Sequence, residues 1–162
     1  MLGISPLGWL HTLGSLPAIP LAAYMLARHG RIVPASRPGR AYFWFMLLGA
    51  ASVLLIAHQP VSYVFGILTL VLLLLGYGAS RLPLRPGARA YVETVALSMT
   101  VFLLMVPSVS ETLRRLPAGH PLVTDLKDPL LLGAQFGLLA ALVVGIGLQV
   151  VVMRKRMRAE PV

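Results

Sequence analysis

Residues 64–79 read VFGILTLVLLLLGYGA, without a single charge. Such a segment leaves the backbone few choices. In hydrocarbon every N–H and C=O must find a partner within the protein, so only helices and closed barrels cross a membrane. Apolar runs of this kind recur at roughly 7–27, 41–58, 61–79, 91–107 and 130–153. Each is close to the roughly 17–25 residues that cross about 30 Å of hydrocarbon as a helix. Leucine, valine, alanine and glycine dominate, and no apolar–polar alternation is sustained, which argues against a transmembrane barrel. The expectation is an all-α fold, a polytopic transmembrane helical bundle of about five spans forming one integral membrane domain over 1–162. The run at 91–107 is the weakest, since Glu93, Thr94, Ser98 and Thr100 interrupt it.

Composition agrees. Hydrophobic residues make up 57% and charged residues 12% of the chain, against about 45–50% and about 25% in a soluble domain. The N-terminal MLGISPLGWL lacks the basic stretch of a signal peptide and is expected to be mature sequence. Cysteine is absent, which excludes disulfides, thiolate metal sites and thiol redox chemistry.

The net charge of +9 is informative through its placement. Arg28, Arg31, Arg37 and Arg40 lie between the first two runs, and no Lys or Arg lies between the second and third. Arg81, Arg85 and Arg89 separate the third and fourth. In the segment 108–129, Arg114, Arg115 and Lys127 are offset by Glu111, Asp125 and Asp128. Arg154, Lys155, Arg156 and Arg158 fill the tail, 154–162. Eleven of the fourteen basic residues thus fall on alternate connections. By the positive-inside rule the N-terminus is outside, the C-terminus inside, 108–129 an outer loop and 154–162 a basic inner tail of a bacterial inner-membrane protein.

That placement also decides HGRIVPASRPGRAYFWF, residues 29–45, in which arginines precede four aromatic residues. The mixture resembles a nucleic-acid platform, but Tyr42, Phe43, Trp44 and Phe45 open a span. The arginines are expected to meet anionic lipid headgroups, and nucleic acid is not expected as a partner.

Small residues mark where helices approach. GAQFG at 133–137 is a GxxxG in the last run, and GAAS occupies 49–52; such positions let backbones pack closely in lipid. Pro17 and Pro20 are expected to kink or interrupt the first span. SVSETLRRL, at 108–116, has the makings of a short amphipathic surface helix with Ser110 as its N-cap.

Polar residues inside a membrane are costly and are candidates for function by default. His11 and His58 fall on the outer side, near the ends of the first and second spans, and Tyr63 follows shortly after. A pair of histidines from two helices suits a b-type haem or a metal ion; the alternative is two interfacial histidines bonded to water or backbone. His120 is expected in the outer loop. Glu93 is expected to pair with Arg89 one turn earlier, the alternative being a proton-accepting carboxylate in a transport path. Gln135 and Ser15 are expected to bridge helices. No nucleophile elbow, phosphate loop or paired carboxylate occurs, so no catalytic residues are assigned.

HTLGS at 11–15, SRPGRAY at 36–42, QPVSY at 59–63 and ARAYVET at 88–94 carry a resemblance over about residues 8–105. This part of the chain resembles a family of uncharacterised bacterial membrane proteins, whose pattern has a first-helix histidine followed by a glycine, then HRxxGRxY, and histidines opening the third and fourth helices. The resemblance implies the helical topology and no activity. Ser36, Tyr63 and Tyr91 stand where that family has histidines, so of any set the family uses, this chain keeps His11.

Three functions are consistent with these features. The first is a non-enzymatic accessory or self-associating helical bundle, suggested by the small size and the GxxxG. The second is an outer-side redox protein binding haem or metal through His11 and His58 and linked to quinone. The third is a small proton-coupled carrier using Glu93.

Overall fold

The computed structural model describes residues 6–117 and 120–159, and among them it contains helices and no strand. Six α-helices follow in order: α1 Pro6–Ser15, α2 Ala18–His29, α3 Arg37–Ile56, α4 Pro60–Gly78, α5 Pro86–Arg115 and α6 Pro129–Ala159; a 3-10 turn, Ala79–Arg81, extends α4. Four segments are long and apolar enough to cross a membrane: Arg37–Ile56, Pro60–Arg81, Pro86–Arg115 and Pro129–Ala159. The fold is that of a polytopic helical membrane protein.

The fifth expected span, 7–27, is helical but not continuous. It breaks between α1 and α2 at Leu16 and Pro17. Pro17 supplies no N–H and precedes α2 with φ −63°, as proline at a helix start allows. Pro20 falls in the first turn of α2, where the missing N–H costs nothing. At the other end, Gly30 adopts φ +71° and donates its N–H to Leu26 O, the left-handed C-terminal cap that glycine favours.

The chain divides into two compact units, Met1–Thr100 and Val101–Val162, with the boundary inside α5. In the first unit, helices touch through small residues. A Cβ added to Gly49 of α3 would come within 2.8 Å of Ser15 Cβ on α1. One added to Gly66 of α4 would meet Val53 and Leu54 of α3, and one on Gly76 would meet Leu97 of α5. Membrane helices gain little from the hydrophobic effect against lipid, so close packing and interhelical hydrogen bonds carry their association. The buried set fits this, with Ala18, Ala22, Met25, Tyr42, Ala50, Leu73, Ala96 and Leu97 all at most 6% exposed. Tyr42 Oη and Thr100 Oγ1, both buried, bond at 2.9 Å and join α3 to α5.

The start of α3 explains why SRPGRAY has its residues. Ser36 is the N-cap, accepting from Gly39 N at 3.0 Å while donating to Val33 O at 2.7 Å. Pro38 fits the first turn, where no N–H is needed. A side chain on Gly39 would overlap the Val33 carbonyl. Ser36 is therefore a helix cap here.

In the second unit α5 runs on through Pro107 to Arg115. The separate surface helix expected at 108–116 does not exist: Ser110 lies mid-helix and donates to Val106 O at 2.7 Å rather than capping. The Arg115 and Arg114 guanidiniums pair with Glu111 within that last turn. Asp128 begins α6, its Oδ1 accepting Leu130 N at 2.8 Å, with Pro129 in the first helical position. Gln135 Nε2 donates to Ser110 Oγ at 3.3 Å, the bridge between α5 and α6 that its sequence position suggested.

Candidate functional site

The charged residues of the first unit gather at one end. At that end, α2 finishes, α3 begins, α4 finishes and α5 begins, so Arg28, Arg31, Arg37, Arg40, Arg81, Arg85 and Arg89 all lie there. Tyr77 Oη ties α4 to α3 at this level by donating to Gly39 O, and the Phe43 ring leans on Tyr77 at 4.8 Å between centroids.

Glu93 stands at this end and its partner differs from the expected one. Its Oε1 accepts from Arg31 Nη1 at 3.1 Å, across a separation of 62 residues, and not from Arg89. The physical reason is geometric. Two residues on one helix four apart reach each other only over the surface, whereas Arg31, in the connection from α2 to α3, approaches the carboxylate from a second element. Arg89 is left with a buried Nε that has no acceptor, and Thr94 Oγ1, buried on α5, has none either.

At the opposite end, His11 of α1 faces α3. Its Nδ1 lies 3.0 Å from Gly49 O and 3.0 Å from Ser52 Oγ, and Ser52 donates to Gly49 O at 3.0 Å. His11 therefore bridges two helices at the small GAAS stretch. His58 is exposed and lies beyond Ile56, the last residue of α3. Six residues separate it from Ser52, about 9 Å or more along the helix direction. The two histidines are not placed at one level as a pair of axial ligands would be. Tyr63 Oη donates to Ala57 O at 2.9 Å and closes the turn between α3 and α4. No group of three or more His, Asp or Glu able to hold a metal occurs among the described residues, His120, Asp125 and Asp128 included.

The last helix has another character. Within the most apolar window of α6 no residue is buried. A Cβ added at Gly133, Gly137, Gly145 or Gly147 would meet nothing within 4 Å. With Ala141, three of these form a row at four-residue steps: Gly133, Gly137, Ala141, Gly145. The GxxxG at 133–137 is thus the first step of a longer small-residue ridge. Arg154, Lys155, Arg156 and Arg158 fall in the last turns of this helix, where cations suit the helix dipole.

Sequence reasoning identified His11, Glu93, Tyr63 and Gln135, anticipated that Gln135 bridges helices, and missed the partners of Glu93 and Tyr63. It counted Arg31 only as an orientation signal and gave Glu93 to Arg89 instead. The one acid among the first 100 residues, set against seven arginines, was the available sign that most of them would lack a protein partner.

No protein-family model, curated protein or solved structure matches this chain. What the chain does has to be argued from its own residues.

Proposed function

We propose that this chain is a non-enzymatic inner-membrane protein, N-terminus out and C-terminus in, that associates with a second copy of itself through α6. The observation that carries this reading is the open row Gly133, Gly137, Ala141 and Gly145 on a helix whose apolar window buries nothing. In the first unit a Cβ on Gly14, Gly49, Gly66 or Gly76 would meet a side chain of a neighbouring helix, and one on Gly78, at the end of α4, would not. In lipid such a ridge is where helix backbones approach, crossing at about −40°. The candidate polar groups support a structural rather than a chemical role, since His11, Tyr42, Tyr63, Tyr77 and Gln135 bond to other helices or to helix ends.

The absence of cysteine makes the test clean. A single Ala141→Cys variant, oxidised in the membrane, is expected to form a disulfide dimer, because a crossing at the ridge brings Cα atoms within the roughly 7 Å a disulfide spans. Val143→Cys, on another face of α6, is expected to stay monomeric. Equal crosslinking at both positions, or none at either, rejects the ridge. Orientation is tested by fusion: alkaline phosphatase is expected to be active after Pro117 and inactive after Arg37.

The redox reading has one observation on its side. With Nδ1 of His11 held by a backbone carbonyl, Nε2 is left for a ligand, as in many histidines that bind metal. An absorption spectrum of the purified protein without a Soret band, and metal analysis without a stoichiometric ion, removes it. The carrier reading meets the Arg31 pair, which already engages Glu93.

A further inference from the structure

We propose that the connection between α5 and α6, residues 120–128, lies in the headgroup layer of the membrane, with Leu122 and Leu126 against phospholipid. The inference needs α5 and α6 to span. It is independent of association through α6 and of which membrane face is outside.

Two counts fix the depth. The apolar run of α5 opens at Tyr91, and Ser110 is the twentieth residue counted from it. On α6, Gln135 is the twentieth residue counted back from Arg154, the first cation of the tail. Twenty residues of helix rise about 30 Å, the thickness of the hydrocarbon. Each helix therefore leaves the hydrocarbon at its own marker, Ser110 on one and Gln135 on the other. These two residues bond to each other, Gln135 Nε2 donating to Ser110 Oγ at 3.3 Å. That bond aligns α5 with α6 independently of either count, and it puts both exits at one level.

Beyond that level the chain does not rise away into water. In a continuing helix Leu113 O would accept from residue 117, but Pro117 has no N–H. Val123 N–H donates to it instead, at 3.1 Å, and Leu122 N–H donates to Leu116 O at 3.2 Å. Val123 is buried, at 1% exposed. The connection is thus folded back onto the last turn of α5. Leu113, where it is pinned, stands three residues past Ser110, about 5 Å along the helix. The headgroup layer is about 5–7 Å thick on each side, so the connection is held within it.

The side chains fit that depth. Leu116, Leu122 and Leu126 are 54%, 59% and 63% exposed. Apolar surface of this kind is unfavourable in water and at home at the boundary between headgroups and acyl chains. Asp125 Oδ1 accepts from Lys127 N at 3.0 Å, and Asp128 Oδ1 from Leu130 N at 2.8 Å. These backbone donors are partnered within the protein, as surroundings poor in water require. Lys127 stands against two acids, so the attraction is apolar and a neutral lipid such as phosphatidylcholine suffices.

The absence of cysteine allows single labels. Leu122→Cys and Leu126→Cys, each carrying a nitroxide, are placed in phosphatidylcholine discs. Collisions with oxygen, which concentrates in lipid, are compared with collisions with a nickel chelate, which stays in water. Both labels are expected to favour oxygen and to read a depth within about 7 Å of the hydrocarbon boundary. Val144→Cys, exposed near the middle of α6, should read about 15 Å inside it. Wild type, which needs no substitution, is tested in discs doped with a lipid carrying a diazirine at the top of its acyl chain. Illumination should leave lipid adducts within 120–128 as well as at exposed Phe136. Nickel collisions as frequent as for the free label, at both positions, would place the connection in water and overturn the proposal. Few collisions with either reagent would mean that a protein surface covers it, and adducts at Phe136 with none in 120–128 would mean that lipid does not reach it; each overturns the proposal too.

Discussion

A methyl group placed on Gly66 would run into Val53 and Leu54, whereas one placed on Gly137 would meet nothing within 4 Å. Both glycines lie in long apolar helices, α4 and α6, and composition alone does not separate them. Their surroundings do. In the first unit Gly49, Gly66 and Gly76 are covered by neighbouring helices, and polar side chains such as Tyr42 and His11 bond between helices. On α6 the same kind of residue faces outward. A glycine in an apolar helix weakens it relative to alanine by about 1 kcal/mol in water. A row of them along one face is therefore explained by what the face approaches. The first unit contains its explanation; for α6 the partner is proposed to be a second copy.

Substitutions sharpen this contrast, beginning where the contact is least yielding. Gly39→Ala should be the most damaging, because the added carbon overlaps the backbone carbonyl of Val33, which cannot rotate away. A loss on the order of 3 kcal/mol or more is expected, read as failure to accumulate or as a large drop in melting temperature in detergent. Tyr42→Phe removes a hydrogen bond between membrane helices, worth about 0.6 kcal/mol on average and up to about 1.7. Thr100 keeps its bond to Leu97 O at 2.7 Å, so thermal unfolding should shift modestly. A collapse there would mean that Tyr42 does more than bond Thr100.

Glu93→Gln should cost less. The Arg31–Glu93 pair is part exposed, at 37% and 24% of the two side chains, and pairs of that kind contribute under about 1 kcal/mol. A larger loss of stability would show that this ion pair, and not small-residue packing, closes the arginine end. Gly145→Ala is expected to leave the stability of the single chain unchanged or raise it slightly, by up to about 1 kcal/mol of helix propensity. A destabilised chain would mean that this face of α6 is already packed.

The helical fold was legible in the sequence because lipid imposes a length and a composition on any spanning helix. The apolar runs at 41–58, 61–79 and 130–153 fall close to α3, α4 and α6. The run at 91–107 marks only the middle of α5, whose ends are polar: hydropathy sees where a helix is greasy, not where its hydrogen bonds stop. The first run hid the break at Leu16 and Pro17, since a proline at a span centre is compatible with a kink or with a gap. The site was less legible. Arg31 and Glu93 are 62 residues apart, so nothing local pairs them, whereas Arg89 at four residues was the nearer choice and the wrong one. Likewise the histidine pair looked plausible while depth was judged from span ends. It lost force once His11 was seen bonded at Gly49 and Ser52 and His58 beyond the end of α3.

The account stands on whether α6 meets another α6 where the first unit is already satisfied. The most direct measurement is the number of copies per lipid disc at low protein density, counted by stepwise photobleaching of a single fluorescent label, for wild type and for Gly137→Ile. Two copies for wild type and one for Gly137→Ile, with equal thermal stability of the single chain, is the predicted result. One copy for wild type, or two for both, would contradict it.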